Sequence, residues 1–144
     1  MGYSYLLRDR RLAQGSAPPS GVSVPFDGIV LAALEYQPEL PAYAVLRVPL
    51  DDPFPPKPPP DARTVALIRA GAQQVASEVR AGRRVLVTCA QGRNRSGVLA
   101  GLALVELGMP GQQAAALIRR LRGGLTNPYF WTMVNRSRPL RLGG

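Results

Sequence analysis

Apolar residues fall along this chain in two kinds of run. Short, nearly continuous ones come first: Tyr3–Leu7, Leu12–Gly15, Gly28–Leu34 and Tyr43–Val48. Runs of this length between breakers read as strands, buried on both faces where the apolar stretch is unbroken. From Asp61 the period changes. Val65, Ile68, Ala72, Val75 and Val79 recur at three- and four-residue steps, which predicts a helix capped by Asp61 and ended at Gly82. Val85-Leu86-Val87 returns to a buried strand. Val98–Leu107 is apolar nearly all round and predicts a central helix, stopped by Gly108 and Pro110. Gln112–Arg122 gives another, with Ala115, Leu117, Ile118 and Leu121 inward, Arg119, Arg120 and Arg122 outward, and Gly123-Gly124 as its cap. Asn127-Pro128 supplies a cap and a first-turn proline for a last helix, Tyr129–Val134. Together these elements predict one α/β domain over 1–144: a mixed, largely parallel sheet flanked by helices on both faces, its site at the C-terminal strand ends. Residues 136–144 read as a mobile basic tail.

The segment between strand Val85–Val87 and the following helix carries the candidate chemistry: Cys89-Ala90-Gln91-Gly92-Arg93-Asn94-Arg95-Ser96. Successive backbone N–H groups at a helix N-terminus form an anion site, and the helix dipole adds partial positive charge. Gly92 lets the backbone turn inward without a Cβ. Arg95 can lay a planar fork on two oxygens of a tetrahedral oxyanion. Positive surroundings favour the thiolate of Cys89, the nucleophilic form, and Ser96 can donate a hydrogen bond to that sulfur. A phosphate cradle with a thiolate at its floor is a device for attacking phosphorus. A lone cysteine is otherwise a small buried hydrophobe.

Composition removes several other chemistries. With no histidine in 144 residues, Ser-His-Asp and Cys-His catalysis are excluded and a zinc site is not expected. A single cysteine excludes an internal disulfide and fits a reducing, cytoplasmic setting. No apolar stretch reaches membrane-spanning length and no secretory leader is read at the N-terminus. The formal charge is +9, and Lys57 is the only one of 18 basic residues that is not arginine. Such a surplus suits anionic partners. It does not by itself predict a stable nucleic-acid complex, because interleaved aromatics and a binding motif are missing.

The loop resembles the Cys-x5-Arg-Ser/Thr signature of the protein tyrosine phosphatase superfamily, most closely its small dual-specificity branch. Five residues separate Cys89 from Arg95, the phosphatase spacing; rhodanese-type sulfurtransferase loops are one shorter. The family usually places His before the Cys, and here Thr88 stands there. The resemblance extends more loosely along the chain. It implies a general acid on a loop upstream of the cysteine, and Pro49-Leu50-Asp51-Asp52, opening a stretch with six prolines between positions 53 and 60, is similar to that loop's Pro-x-x-Asp pattern. This favours Asp52, with Asp51 as the alternative acid. Asn127-Pro128-Tyr129-Phe130 resembles an Asn-x-x-Phe motif whose asparagine buttresses the phosphate loop.

The reaction so implied needs no cofactor or metal. Cys89 attacks phosphorus, Arg95 and the amides of Ala90–Ser96 hold the oxygens, Asp52 protonates the leaving group, and Ser96 steadies the departing thiolate. The expected substrate is a protein bearing phosphotyrosine, phosphoserine or phosphothreonine, acted on by a monomer. Arg93 resembles loops acting on phospholipids or inositol phosphates, and Asn94 resembles those of RNA 5′-triphosphatases. A rhodanese-type sulfurtransferase and a non-catalytic phosphate-binding module are the readings from other classes.

Overall fold

The computed structural model describes residues 2–19 and 21–139. Tyr3–Tyr5 (β1), Leu12–Ser16 (β2), Gly28–Ala33 (β3), Ala44–Leu50 (β4) and Val85–Cys89 (β5) form a sheet of order β1-β2-β5-β3-β4. β1 pairs antiparallel with β2, and every other pairing is parallel. This is the mixed, largely parallel sheet that the apolar runs predict. β5, the strand ending in the cysteine, lies at its centre, so its five residues are all buried. Register aligns Ser16 of β2 with Cys89 and Leu31 of β3 with Thr88, so three strands end at one edge.

The helices are Ala62–Arg80 (α1), Arg95–Glu106 (α2), Gly111–Arg122 (α3) and Pro128–Asn135 (α4). Asp61 caps α1 by accepting from the Thr64 amide at 2.8 Å, and Gly123 closes α3 in the left-handed conformation. α2 is buried on every side from Ser96 to Val105. Its neighbours are α1, α3, α4 and the sheet. Helices were expected on both faces. Instead residues of all four share one hydrophobic cluster with the sheet face formed by Leu12, Val30, Val85 and Val87. The opposite face is covered by Tyr3, Tyr5, Val24, Phe26, Leu40 and Tyr43. The physical reason lies in the crossovers. The chain passes from β2 to β3 and from β3 to β4 through loops, whose few apolar residues suffice to cover that side.

Of the basic tail, Arg136 and Ser137 continue hydrogen bonding to α4, and Ser137 O accepts from the Gly111 amide at 3.1 Å; residues 140–144 lie outside the described residues. Leu121, expected inward, is 40% exposed on the rim of α3.

Candidate active site

β5 delivers Cys89 to the sheet edge and α2 begins at Arg95, three residues before the apolar run that predicts it. The first turn of the helix is polar because it faces the loop rather than the core. Between them, residues 90–94 make the turn. Gly92 has φ +67°, and a Cβ there would come within 2.5 Å of the Gly15 carbonyl carbon and 2.6 Å of an Arg122 nitrogen. Both conformation and space demand glycine. Gly92→Ala is therefore expected to destabilise the fold by about 1–3 kcal/mol and to weaken phosphate binding with it. Thermal unfolding and phosphate titration of the variant check both.

Cys89 is 4% exposed, and its Sγ lies 3.2 Å from Ser96 Oγ, itself fully buried. Ser96 Oγ also accepts from Gln14 Nε2 at 3.1 Å. Ala90, Gln91 and Arg93 are exposed, so this stretch of the loop meets solvent. Thr88, where the family pattern has histidine, turns the other way: its hydroxyl donates to the Val30 carbonyl on β3 at 2.7 Å. It ties two strands together and, among the described residues, makes no hydrogen bond to the loop.

Arg95 is held from one side. Its Nη1 contacts both carboxylate oxygens of Glu35, one at 2.9 Å, and donates to the Leu50 carbonyl at 3.0 Å. Nε and Nη2 have no partner among the described residues, which leaves the outer edge of the guanidinium for an oxyanion. Burial disfavours the charged form of Arg95. The Glu35 bond and charge, with Cys89 and Asp52 nearby, outweigh this and leave its pKa above the ordinary value. Glu35 is shifted the opposite way: hydrogen bonding from Arg95 comes first, and its carboxyl sits below the usual glutamate range. A depressed carboxylate pKa contributes stability above the unfolded value and loses it as pH falls through the folded one. The pair thus survives mild acid and breaks only below the ordinary glutamate range. Replacing Glu35 by Gln should raise KM for a phosphate ester about tenfold with less change in kcat, since the fork loses its anchor and not its charge. Steady-state kinetics at several pH values checks this.

Asp52 and Asp51 part company. Asp52 is half-buried and accepts from Asn94 Nδ2 at 3.1 Å and from Asn127 Nδ2 at 2.7 Å. Asp51 is exposed and has no side-chain hydrogen bond among the described residues. Asn127 does two jobs at once. Its Oδ1 caps α4, accepting from Tyr129 N at 2.9 Å, while its Nδ2 donates to Asp52 and to the Pro53 carbonyl at 2.7 Å. Its backbone N–H reaches Asn94 Oδ1 at 3.1 Å. The proline-rich loop is thereby tied to the cysteine loop through Asn94.

Three residues of the site carry no motif. Glu35 lies within the turn that follows β3, closed by the Tyr36 amide on the Ala33 carbonyl at 3.1 Å. Gln14 is the polar residue inside apolar β2. Arg122, expected to face solvent, instead folds back under the loop, donating from Nε to the Gly92 carbonyl at 3.1 Å and from Nη1 to Ser4 Oγ at 3.3 Å. Burial holds its pKa below the ordinary arginine value. Arg119 is exposed, as expected, with its guanidinium carbon 3.6 Å from the centre of the Trp131 ring. No cluster of metal-ligating side chains occurs among the described residues. No described helix is long and apolar enough to cross a membrane.

No family model and no curated protein matches the sequence. Solved structures do. Human DUSP28 is similar over 88% of this chain and 86% of its own, at 25% identity and a TM-score of 0.70. OH1 of the Orf virus, a tyrosine phosphatase with triple substrate specificity, matches over 93% and 84%, at 20% identity and a TM-score of 0.68. PTPMT1, solved in complex with PI(5)P, matches over 94% and 93%, at 16% identity and a TM-score of 0.70. The chain thus has the fold of the tyrosine and dual-specificity phosphatases, and the likeness to human DUSP28 supports a phosphatase.

Proposed function

We propose that this chain is a cysteine-dependent phosphatase that hydrolyses phosphate monoesters of proteins in two steps. One observation carries the reading. The sole cysteine, the loop arginine and a carboxylate from a separate loop converge at one sheet edge, with Ser96 Oγ 3.2 Å from the sulfur.

In the first step Cys89 Sγ, as thiolate, attacks phosphorus. The sulfur–phosphorus bond forms, the phosphorus–oxygen bond to the leaving group breaks, and Asp52 gives that oxygen its proton. Arg95 and the N–H groups of residues 90–96 hold the non-bridging oxygens, where charge shifts in the transition state. In the second step water attacks the cysteinyl-phosphate and gives a proton to Asp52. The electron pair of the breaking bond returns to sulfur, where the Ser96 hydroxyl stabilises it. Glu35 positions Arg95, and Asn94 and Asn127 position Asp52. Thr88 cannot supply the charge of an imidazolium, so the loop amides, Arg95 and the α2 dipole carry the electrostatics.

Exposed Arg93 at the middle of the loop favours a second reading, a phosphate ester on a lipid or inositol headgroup. A reducing cytoplasm suits a nucleophilic thiol, and one chain supplies every group named. The test is a panel of p-nitrophenyl phosphate, phosphotyrosyl and phosphoseryl peptides, a phosphoinositide, and thiosulfate as a sulfur donor. The reading expects ester hydrolysis with peptides preferred. Faster phosphoinositide turnover would replace the substrate class. Persulfide formation on Cys89 without phosphate release would replace the reaction.

A further inference from the structure

Gln14 is wholly buried in β2, beside the central strand, and its placement has a chemical direction. Its amide lies 3.1 Å from the Gly92 carbonyl, 3.4 Å from the Arg93 carbonyl and 3.1 Å from Ser96 Oγ. Carbonyl oxygens only accept, so the side of the amide that meets them is the NH2 group. The other end, Oε1, is buried without a partner among the described residues. An apolar side chain of the same size would avoid that orphaned acceptor. The residue is placed for its N–H donors.

From these contacts we infer that Gln14 is a positioning residue which aims the Ser96 hydroxyl at Cys89, and so acts on the breakdown of the cysteinyl-phosphate; this rests on the two-step reading above. A serine hydroxyl has one hydrogen. With Gln14 donating into a lone pair of Ser96 Oγ, that hydrogen is left for the sulfur 3.2 Å away. The loop carbonyls depend on Gln14 far less. Gly92 O also accepts from Arg122 Nε at 3.1 Å, and Arg93 O from the Leu125 amide at 3.1 Å. Among the described residues Ser96 Oγ has no other donor but the thiol itself. The first chemical step makes no demand on this hydrogen bond beyond what the bound thiolate already has. The second does, because sulfur regains its negative charge as the sulfur–phosphorus bond breaks.

The experiment compares wild type, Gln14→Leu, Gln14→Met, Ser96→Ala and Gln14→Leu/Ser96→Ala on p-nitrophenyl phosphate, by stopped flow and at steady state. Both apolar replacements keep the volume of the buried side chain. The inference expects kcat to fall about tenfold in each Gln14 variant while kcat/KM, set by the first step, stays within about twofold. It also expects p-nitrophenolate to be released in a first-turnover burst at least as large as that of wild type. In the double variant Ser96→Ala should add little to Gln14→Leu, because both remove the same hydrogen bond. Parallel loss of kcat and kcat/KM, or losses that multiply in the double variant, would overturn the inference and make Gln14 a loop prop only. Wild-type turnover that survives Cys89→Ser would instead overturn the two-step reading itself.

Discussion

Hydrolysis of p-nitrophenyl phosphate by Cys89→Ser is expected to fall at least about 10⁴-fold, the scale on which loss of a covalent nucleophile is felt. That corresponds to about 5–6 kcal/mol of lost barrier reduction. Inorganic phosphate should still bind within about threefold of wild type, because the groups that hold its oxygens are untouched. Arg95 remains anchored by Glu35 and the Leu50 carbonyl, and the Gly92 and Arg93 carbonyls stay pinned by Gln14, Arg122 and Leu125. A serine at 89 keeps the volume nearly constant in a site only 4% exposed, so the fold should be unaffected. Rates and phosphate titration on the same preparation separate the two quantities. Turnover that survives would remove Cys89 from the chemistry, and loss of phosphate binding would show that the cradle needs the thiolate to form.

Asp52→Asn is expected to be the next most damaging change, by about 10²–10³-fold on an alkyl or peptidyl phosphate. The structure gives two reasons. The substitution removes the proton donor for the leaving oxygen. It also sets a new NH2 group against that of either Asn94 or Asn127, which now donate to separate carboxylate oxygens at 3.1 and 2.7 Å, and so leaves one of the two bonds without an acceptor. The effect should be smaller on p-nitrophenyl phosphate, whose leaving group needs less protonation, and the basic limb of the pH profile should flatten. Asp51→Asn should stay within about twofold of wild type, the range of an ordinary surface change, because Asp51 is exposed. The reverse pattern, with Asp51 essential and Asp52 dispensable, would transfer the acid role to the neighbouring residue and leave Asp52 as the tether of its loop.

What the sequence showed, and what it hid, follows from how local each feature is. The loop from Cys89 to Ser96 was legible because its residue types and spacing are contiguous and bounded by a strand and a helix. Asp61, Gly123 and Asn127-Pro128 marked helix ends by local hydrogen bonding and backbone conformation, and those elements lie close to the boundaries they imply. The side of the sheet taken by the helices was not legible. Apolar periodicity says that a face is buried, not what covers it, and here Phe26, Leu40 and the tyrosines cover one face without a helix. Glu35, Gln14 and Arg122 were hidden for a similar reason. Each reaches a residue of the loop or of the first turn of α2 that is distant in sequence; the register of β2, β3 and β5 brings Glu35 and Gln14 to Arg95 and Ser96, and the packing of α3 brings Arg122 to Gly92. The one available signal was a polar side chain within an apolar strand, and Gln14 bore it. Arg122 gave none, since an arginine late in an amphipathic helix reads as solvated.

The most direct test of the account is the capture of its covalent intermediate. Enzyme turning over an aryl phosphate would be quenched within milliseconds by acid, digested, and the peptide bearing Cys89 weighed by mass spectrometry. The account predicts one added phosphoryl group on Cys89, formed and lost on the timescale of turnover and missing from Cys89→Ser. Steady turnover with Cys89 unmodified at every quench time, or with the phosphoryl group on another residue, would contradict it.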